Sequence, residues 1–116
     1  FGERFGTFDV ILAANLIDRT PRPRAVLEHF KTAARPGAQL LITSPYTWLP
    51  EYTDPEQWLG GYTDSSGPVS TLEGMRRVLE PTFELVKTEE LPFLIREHRR
   101  KFQWSVAQGS LWRRVS

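Results

Sequence analysis

The chain has no cysteine among its 116 residues and only two histidines, His29 and His98. Disulfide bonds, thiolate nucleophiles and cysteine-based zinc sites are therefore excluded. A histidine-rich metal site is also disfavoured, and we expect no bound metal. The composition fits a cytoplasmic location without requiring it.

Long hydrophobic runs are missing as well. The longest apolar runs, Val10–Ala14 and Leu40–Ile42, fall far short of the roughly 20 residues that cross a bilayer as a helix. The N-terminus lacks the basic segment and apolar core of a signal peptide. With 40% hydrophobic and 25% charged residues, the composition is that of one soluble globular domain.

Several catalytic and phosphate-binding motifs are absent. The chain has no Gly-rich phosphate loop, no Walker sequence, no G-x-S-x-G and no H-E-x-x-H. It also begins with Phe1 rather than methionine. We therefore expect the chain to be part of a longer protein.

Charge is unevenly distributed along the chain. Residues 1–93 hold nine Lys/Arg and thirteen Asp/Glu, a net charge of −4, whereas residues 94–116 hold six and one, a net charge of +5. The C-terminal segment is therefore a basic patch, suited to an anionic ligand or to neighbouring carboxylates, unless it is simply a solvated strand face.

The first 44 residues have the pattern of a βαβ unit. Phe8–Ala14 is a nearly unbroken apolar run, which predicts a strand buried on both faces. Thr20 and Pro21 are suited to begin a helix as N-cap and first residue, and residues 35–37 (Arg-Pro-Gly) end it. Gln39–Ser44 is predicted to be a second buried strand.

The remaining elements are predicted from shorter signals. Pro45–Val69 is a long loop with one helical turn near residues 55–59, and loops of this length are usually functional. A capping box at residues 70–73 begins a second helix, which Gly74 weakens slightly. Phe83–Glu89 is a third strand, and residues 101–115 are a last strand with a bulge or bend at Gly109. The fold class is thus α/β, with parallel strands first and an antiparallel strand last.

Candidate binding residues follow the first two strands, where open α/β sheets bind ligands. Asn15 either contacts a ligand or caps its own backbone, and Asp18 either accepts a hydrogen bond from a ligand or pairs with a nearby arginine. Tyr46 and Trp48 either form a wall for a flat ring or a sulfonium cation, or fill the core. Trp58 and Tyr62 are predicted to form a lid over that pocket rather than to lie in the core.

A second set of candidates lies in the basic segment. Arg96 could bind a carboxylate with two parallel hydrogen bonds, or Arg96 and Glu97 could solvate a sheet edge. His98 has charged neighbours and is predicted to be exposed rather than catalytic.

The sequence resembles the second half of a class I S-adenosylmethionine-dependent methyltransferase. Residues 8–15, the helix that ends at residues 35–37 and the strand from Gln39 match the fourth and fifth strands of that fold. Further motifs resemble the mercaptohistidine N1-methyltransferase domain of ovothiol biosynthesis proteins. They are Ala14–Arg19, Thr43–Leu49, Trp58–Gly61, Pro92–Glu97 and Arg100–Trp104.

The resemblance implies a fold, a reaction and partners. Residues 1–116 would be a single partial methyltransferase domain without its N-terminal cofactor-binding half, a Rossmann-like sheet with helices packed on it. The cofactor would be S-adenosylmethionine and the substrate a mercaptohistidine-like small molecule, methylated on an imidazole nitrogen. An iron-dependent sulfoxide synthase would lie upstream in the same protein.

The residue roles expected on this basis are specific, although no catalytic residue is assigned. Asn15 and Leu16 would bind the cofactor, and Tyr46 and Trp48 would form the wall for the substrate ring. Arg96 would bind the substrate carboxylate, and Asp18 or Glu97 would face its amino group.

Two other functions remain open. Trp104 and Trp112 in the basic segment could stack on a single-stranded nucleic acid, although the other aromatic residues lie outside that segment. A half-domain that only mediates contacts between subunits is the third alternative. If Phe8–Ala14 is a central strand of a larger sheet, its exposed edge favours self-association or poor solubility of this chain.

Overall fold

The computed structural model describes residues 6–116, which form two α-helices and two β-sheets. A single turn of 3-10 helix, Pro55–Gln57, lies in the long loop. The elements in chain order are β1 Phe8–Ala14, α1 Pro23–Ala33, β2 Ala34–Ser44, β3 Tyr62–Asp64, β4 Gly67–Val69, α2 Thr71–Leu79, β5 Phe83–His98 and β6 Lys101–Arg114.

The main sheet has the strand order β1-β2-β6-β5. β1 and β2 are parallel, whereas β6 is antiparallel to both β2 and β5. The predicted α/β class, with a parallel start and an antiparallel last strand, is confirmed. β3 and β4 form a small antiparallel sheet within the segment that we predicted to be a loop.

Helix α1 begins two residues later than predicted. Its N-cap is Arg22, which makes no side-chain capping bond, and Pro23 takes the first helical position. Pro21 and Pro23 both suit that position because neither needs a backbone N–H there. The Thr20 side chain instead accepts a hydrogen bond from the backbone N–H of Arg22 at 3.5 Å, outside the helix.

The turn from α1 into β2 is tighter than predicted. β2 begins at Ala34, immediately after the helix, and its pairing with β1 is irregular between the Phe8–Ala34 and Val10–Gln39 pairs. Gly37, which has a φ of +83°, lies within this irregularity, where a residue with a side chain would be strained. Regular pairing therefore starts at Gln39, the residue at which we predicted the strand to begin.

Both helices pack on the same face of the main sheet. Leu40, Ile42 and Trp112 of the sheet are fully buried there together with Leu27 of α1 and Met75 of α2. Their shared apolar cluster is the core of the described residues, and burial of this kind is the main stabilising contribution in a small domain.

The opposite face of the sheet is open, so the prediction that β1 and β2 are buried on both faces is wrong. Val10 and Leu12 are each 64% exposed, and Leu41 is 37% exposed. Apolar residues on both sides of a strand indicated two covering layers, but among residues 6–116 the helices cover only one side. β1 is also an edge strand of the sheet.

Helix α2 is held at both ends of its first turn. The Ser70 hydroxyl accepts a hydrogen bond from the backbone N–H of Glu73 at 3.1 Å, which is one half of the predicted capping box, whereas the Glu73 carboxylate lies 3.7 Å from Nε of Arg77. Gly74 is needed for packing rather than merely tolerated, because a Cβ there would lie 1.6 Å from the carbonyl oxygen of Leu59. The helix therefore packs directly on the loop backbone.

Strands β5 and β6 form a hairpin that is much longer than predicted. β5 continues past Glu89 to His98, and residues 91–107 of the hairpin pair only with each other, since β2 pairs with β6 at residues 108–113. We call residues 91–107 the arm. The strand signal there was hidden because Pro92 interrupts an otherwise regular pattern.

No bulge occurs at Gly109, contrary to the prediction. The pairing of β6 runs unbroken through Gly109, and the irregularities of the hairpin lie on β5, between Leu85 and Lys87 and near its end. Leu111 and Trp112 are adjacent and both apolar because they face opposite sides of the sheet. In the described residues, no helix is long and apolar enough to span a membrane.

Candidate functional site at the strand ends

The candidate residues after β1 and β2 meet at one edge of the sheet. Ala14 pairs with Thr43 in the parallel register, and the backbone N–H of Asn15 donates to the Thr43 carbonyl at 2.7 Å. Asn15 and Tyr46 therefore lie at the same edge, as the argument from parallel strands requires.

Both segments leave the sheet through a strained residue. Asn15 has a φ of 53° and Tyr46 a φ of 58°, and they are the two non-glycine residues with positive φ in residues 6–116. Asparagine tolerates this conformation better than tyrosine does. Strain of this kind costs about 1–3 kcal/mol and clusters at functional sites.

Asp18 is buried and only half satisfied. Asp18 is only 1% exposed, and its Oδ2 accepts a hydrogen bond from the backbone N–H of Thr47 at 3.0 Å. Oδ1 is buried and has no hydrogen-bond partner among the described residues. The alternative of pairing with a nearby arginine does not hold here, because the guanidinium of Arg19 lies over the Tyr52 ring at 4.6 Å.

Tyr46 is tied to β6 through its hydroxyl. The phenol O–H donates to Oε1 of Gln108 at 2.6 Å, and the Tyr46 backbone N–H donates to Oγ of Ser44 at 3.0 Å. Burial, and secondarily the negative charge of Glu90, raise the pKa of Tyr46 well above its usual value. The phenol therefore stays protonated and remains a donor at physiological pH.

The two tryptophans of the loop pack together. The rings of Trp48 and Trp58 stack with centroids 6.4 Å apart, and the Trp48 indole N–H donates to Oγ1 of Thr71 at 2.9 Å. The Trp58 indole N–H donates to the carbonyl of Thr53. The hydrogen bonds fix both rings, so Trp58 packs directly against Trp48, and Tyr62 lies half-buried in β3.

Leu16 borders a separate apolar groove beside the edge strand. The groove has a volume of about 390 Å³ and lies between β1 and α1. Leu16 is itself exposed, so it can offer an apolar contact to a ligand. The other lining residues are Ile11, Leu12, Val26, His29 and Phe30.

Arg96 and Glu97 lie far along the arm from this cluster. Arg96 stands over the Phe102 ring at 5.9 Å, and Glu97 pairs with Lys101 at 3.1 Å. Glu90 is the arm-side neighbour of Gln108, and Arg96 lies six residues further along β5, a span of about 20 Å. His98 is exposed, as predicted.

Sequence reasoning missed two residues of the site. Ser44 is fully buried and holds the Tyr46 backbone, and Gln108 accepts from its phenol. The two are partners in the β2–β6 pairing. No local pattern marks them, since their position depends on a pairing between strands more than 60 residues apart. The only available signal was Ser44 at the end of a predicted strand.

The cluster fits one side of a site that holds a partly apolar cofactor such as S-adenosylmethionine beside a small molecule that carries an amino group. The unpaired Oδ1 of Asp18 is an acceptor for an ammonium or amide N–H, and a buried carboxylate without such a donor is costly. Asn15 adds an exposed amide, and Leu16 an apolar surface.

The fold is similar to two solved structures. A SAM-dependent methyltransferase from Methanosarcina mazei aligns with a TM-score of 0.60 and 14% identity, over 94% of this chain and 60% of that one. A structure solved in work on the conversion of a disulfide bond into a thioacetal group during echinomycin biosynthesis aligns with a TM-score of 0.58 and 17% identity, over 93% of this chain and 49% of that one.

Sequence comparison gives a shorter match. The highly reducing polyketide synthase PKS6 from Gibberella zeae is 44% identical over 46 residues, which are 40% of this chain and 2% of that protein. No model of a known protein family matches the sequence. The chain thus spans about half to three-fifths of the solved structures and a small part of the synthase, and the comparisons show the fold that it shares with a methyltransferase.

Proposed function

We propose that the chain is part of an S-adenosylmethionine-dependent N-methyltransferase and forms the acceptor side of its active site. The fold is shared with a methyltransferase, and the candidate residues lie at the strand ends where this fold class binds ligands. The longer protein would supply the remaining contacts to the cofactor.

The observation that carries the proposal is the buried, half-paired carboxylate of Asp18. An oxygen left without a donor inside a protein costs about 1–3 kcal/mol, so its presence beside two strained residues favours a ligand that donates to it. An amino group of the substrate is such a donor.

The chemistry asked of these residues is positioning. When bound, S-adenosylmethionine supplies an electrophilic methyl group on a sulfonium. The lone pair of a neutral ring nitrogen forms the new N–C bond as the S–C bond breaks, and the ring then loses a proton to solvent. Tyr46 and Trp48 would hold the ring, and Asp18 would orient it through the amino group.

The finer assignment is to an imidazole acceptor. On the resemblance of the loop motifs, the substrate is 4-mercaptohistidine, the product belongs to ovothiol biosynthesis, and an iron-dependent sulfoxide synthase precedes this segment. Arg96 would bind the substrate carboxylate, with Glu97 as the alternative to Asp18 at the amino group. Arg96 can serve this role only if it approaches the cluster from another direction, because it lies about 20 Å along the arm from Glu90.

Methyl transfer by the whole protein tests the role of Asp18. With radiolabelled S-adenosylmethionine, Asp18→Asn should raise the KM for 4-mercaptohistidine at least tenfold, because a charged hydrogen bond contributes about 1.5–3 kcal/mol. The KM for a mercaptoimidazole without the amino acid portion should stay nearly the same. Asp9→Asn, an exposed carboxylate at the start of β1, is the matched control.

Two results would count against the proposal. Equal KM values for the Asp18→Asn and Asp9→Asn proteins would remove Asp18 from the site. Absence of methyl transfer to any imidazole by the unaltered protein would remove the assignment to an imidazole acceptor. An Arg96→Ala protein with an unchanged KM for mercaptohistidine would remove Arg96 alone.

The nucleic-acid alternative is only partly favoured by the structure. Trp112 is fully buried and cannot stack on a base, whereas Phe102 and Trp104 are exposed on the arm. Exposed aromatic rings near basic residues do suit a single strand. The arm as a whole is basic, with four Lys/Arg and one Glu in residues 91–107, a net charge of +3. The face that carries Phe102 and Trp104, however, has Glu90 at its base and Arg96 near its tip, and this order of opposite charges favours a different occupant.

A further inference from the structure

One face of the β5–β6 hairpin carries an ordered stripe of side chains. Paired residues of an antiparallel hairpin share a face. The contacts agree with this, since the Gln108 amide donates to Glu90 at 3.4 Å and Arg96 lies over Phe102. From base to tip, the pairs on this face are Glu90–Gln108, Pro92–Val106, Leu94–Trp104 and Arg96–Phe102. We call these eight residues the arm stripe.

The apolar part of the arm stripe is exposed. Trp104 is 67% exposed, Leu94 59% and Phe102 53%. Side chains of this size dominate interface energetics, and a contiguous patch of them on a protein surface marks an interaction site. These exposed fractions show that no element within residues 6–116 covers this face of the hairpin.

The charges of the arm stripe have a particular order. An acidic residue, Glu90, lies at the base, a basic residue, Arg96, lies near the tip, and the apolar pairs lie between them. A second stripe can face the first after a 180° rotation about an axis that lies in the contact plane and is perpendicular to the strands. The base of one stripe then lies against the tip of the other, so that each acidic residue faces a basic one. A twofold interface needs this self-complementarity, because each residue meets the symmetry copy of its partner.

We propose that the arm stripe is a dimer interface with a second copy of this chain. Two arms pack face to face and antiparallel, so that Glu90 of each copy meets Arg96 of the partner subunit. In this register Leu94 packs on Pro92 of the partner subunit and Trp104 on Val106 of the partner subunit. Two ion pairs and four apolar contacts then form together.

The size of the stripe sets the expected affinity. A stable interface usually buries about 800 Å² on each partner, and a few large side chains on a two-stranded arm reach only the lower part of that range. We therefore expect a reversible dimer with a dissociation constant on the order of micromolar, in which opposite charges fix the register.

The dimer also bears on the candidate active site. Glu90 accepts a hydrogen bond from the Gln108 amide, and Gln108 in turn accepts one from the Tyr46 hydroxyl. Arg96 of the partner subunit, paired with Glu90, would therefore lie next to these residues. Use of that arginine for a substrate carboxylate rests on the proposed function. The dimer itself does not, because self-association is measured with no cofactor or substrate present.

Charge exchange tests the interface. Sedimentation equilibrium of the full chain should show a concentration-dependent dimer, and Glu90→Arg or Arg96→Glu should each raise the dissociation constant at least tenfold, because each creates two like-charge contacts. Mixing the two single variants should restore dimerisation, since the mixed pair has opposite charges at both contacts. Glu89→Arg makes the same charge change on the opposite face and is the control.

Each outcome decides the proposal, provided that circular dichroism shows the variants to be folded. Recovery in the mixture, with no effect of Glu89→Arg, supports the arm dimer. A monomer at 100 µM overturns it, as does a dimer that is insensitive to both exchanges, which would point to the β1 edge. Binding of a single-stranded oligonucleotide that is lost in Trp104→Ala, without self-association, would assign the arm to nucleic acid and overturn it too.

Discussion

The two faces of the main sheet have similar sequences but different surroundings. On the covered face, Leu40, Ile42 and Trp112 are completely buried under the two helices. On the open face, Leu12 is 64% and Leu41 37% exposed, although they are just as apolar. Hydrophobicity alone therefore does not tell which side of a strand is covered by the chain in hand.

Truncating a side chain should destabilise the fold much more on the covered face than on the open face. Removing atoms from the covered face leaves a cavity among closely packed neighbours, whereas the open face has fewer contacts to lose. The candidate site lies at the strand ends on the covered face, where Ser44 and Tyr46 follow Ile42. Stability and the site thus depend on the same layer.

The largest effect is expected from two neighbouring leucines of β2. Leu40→Ala should lower the free energy of unfolding by about 2–5 kcal/mol, because Leu40 is fully buried. Leu41→Ala, one residue away on the open face, should lower it by about 1 kcal/mol or less. Urea unfolding followed by tryptophan fluorescence measures both values.

Equal losses for the two leucines would break this comparison. A large loss at Leu41 would mean that the open face is covered in solution. Repeating the measurement over a range of protein concentrations shows whether such a cover is another copy of the chain, since its contribution would then grow with concentration.

Periodicity and turn chemistry predicted much of the fold. The parallel βαβ start follows from two apolar runs around one amphipathic helix, and the capping motif at Ser70 located α2 correctly. The exact start of α1 could not be predicted, because Pro21 and Pro23 satisfy the same local rule. Only the packing of the helix on the sheet decides between them.

The site was predictable where it depends on chain order and hidden where it depends on pairing. Asn15, Asp18 and Tyr46 follow parallel strands, and parallel strands bring their ends together. Gln108 reaches Tyr46 through the β2–β6 pairing, which no local pattern specifies. The length of the arm was likewise unpredictable, because Pro92 resembles the end of a strand.

A smaller difference in stability is expected between variants of the two predicted helix caps, Ser70 and Thr20. Ser70→Ala should lower the free energy of unfolding by about 1 kcal/mol, because it removes the acceptor for the Glu73 N–H. Thr20→Ala should cost less, since Thr20 lies outside α1 and its contact with Arg22 is long, at 3.5 Å. Thermal unfolding of the two variants at one pH compares them, and a greater loss for Thr20→Ala would contradict the assigned start of α1.

The smallest effect concerns the pH dependence of the site at its covered edge. Burial and Glu90 raise the pKa of Tyr46 in the folded chain, whereas an unfolded tyrosine ionises near pH 10. The stability that the protonated phenol contributes is therefore fully present below about pH 10 and is lost as the pH rises further. The difference in melting temperature between the unaltered chain and Tyr46→Phe should thus stay level up to about pH 10 and shrink between pH 10 and pH 11. Tyr52→Phe, at an exposed tyrosine, is the control for loss of a phenol. A Tyr46→Phe difference that stays constant up to pH 11 would show that folding does not raise the pKa of Tyr46.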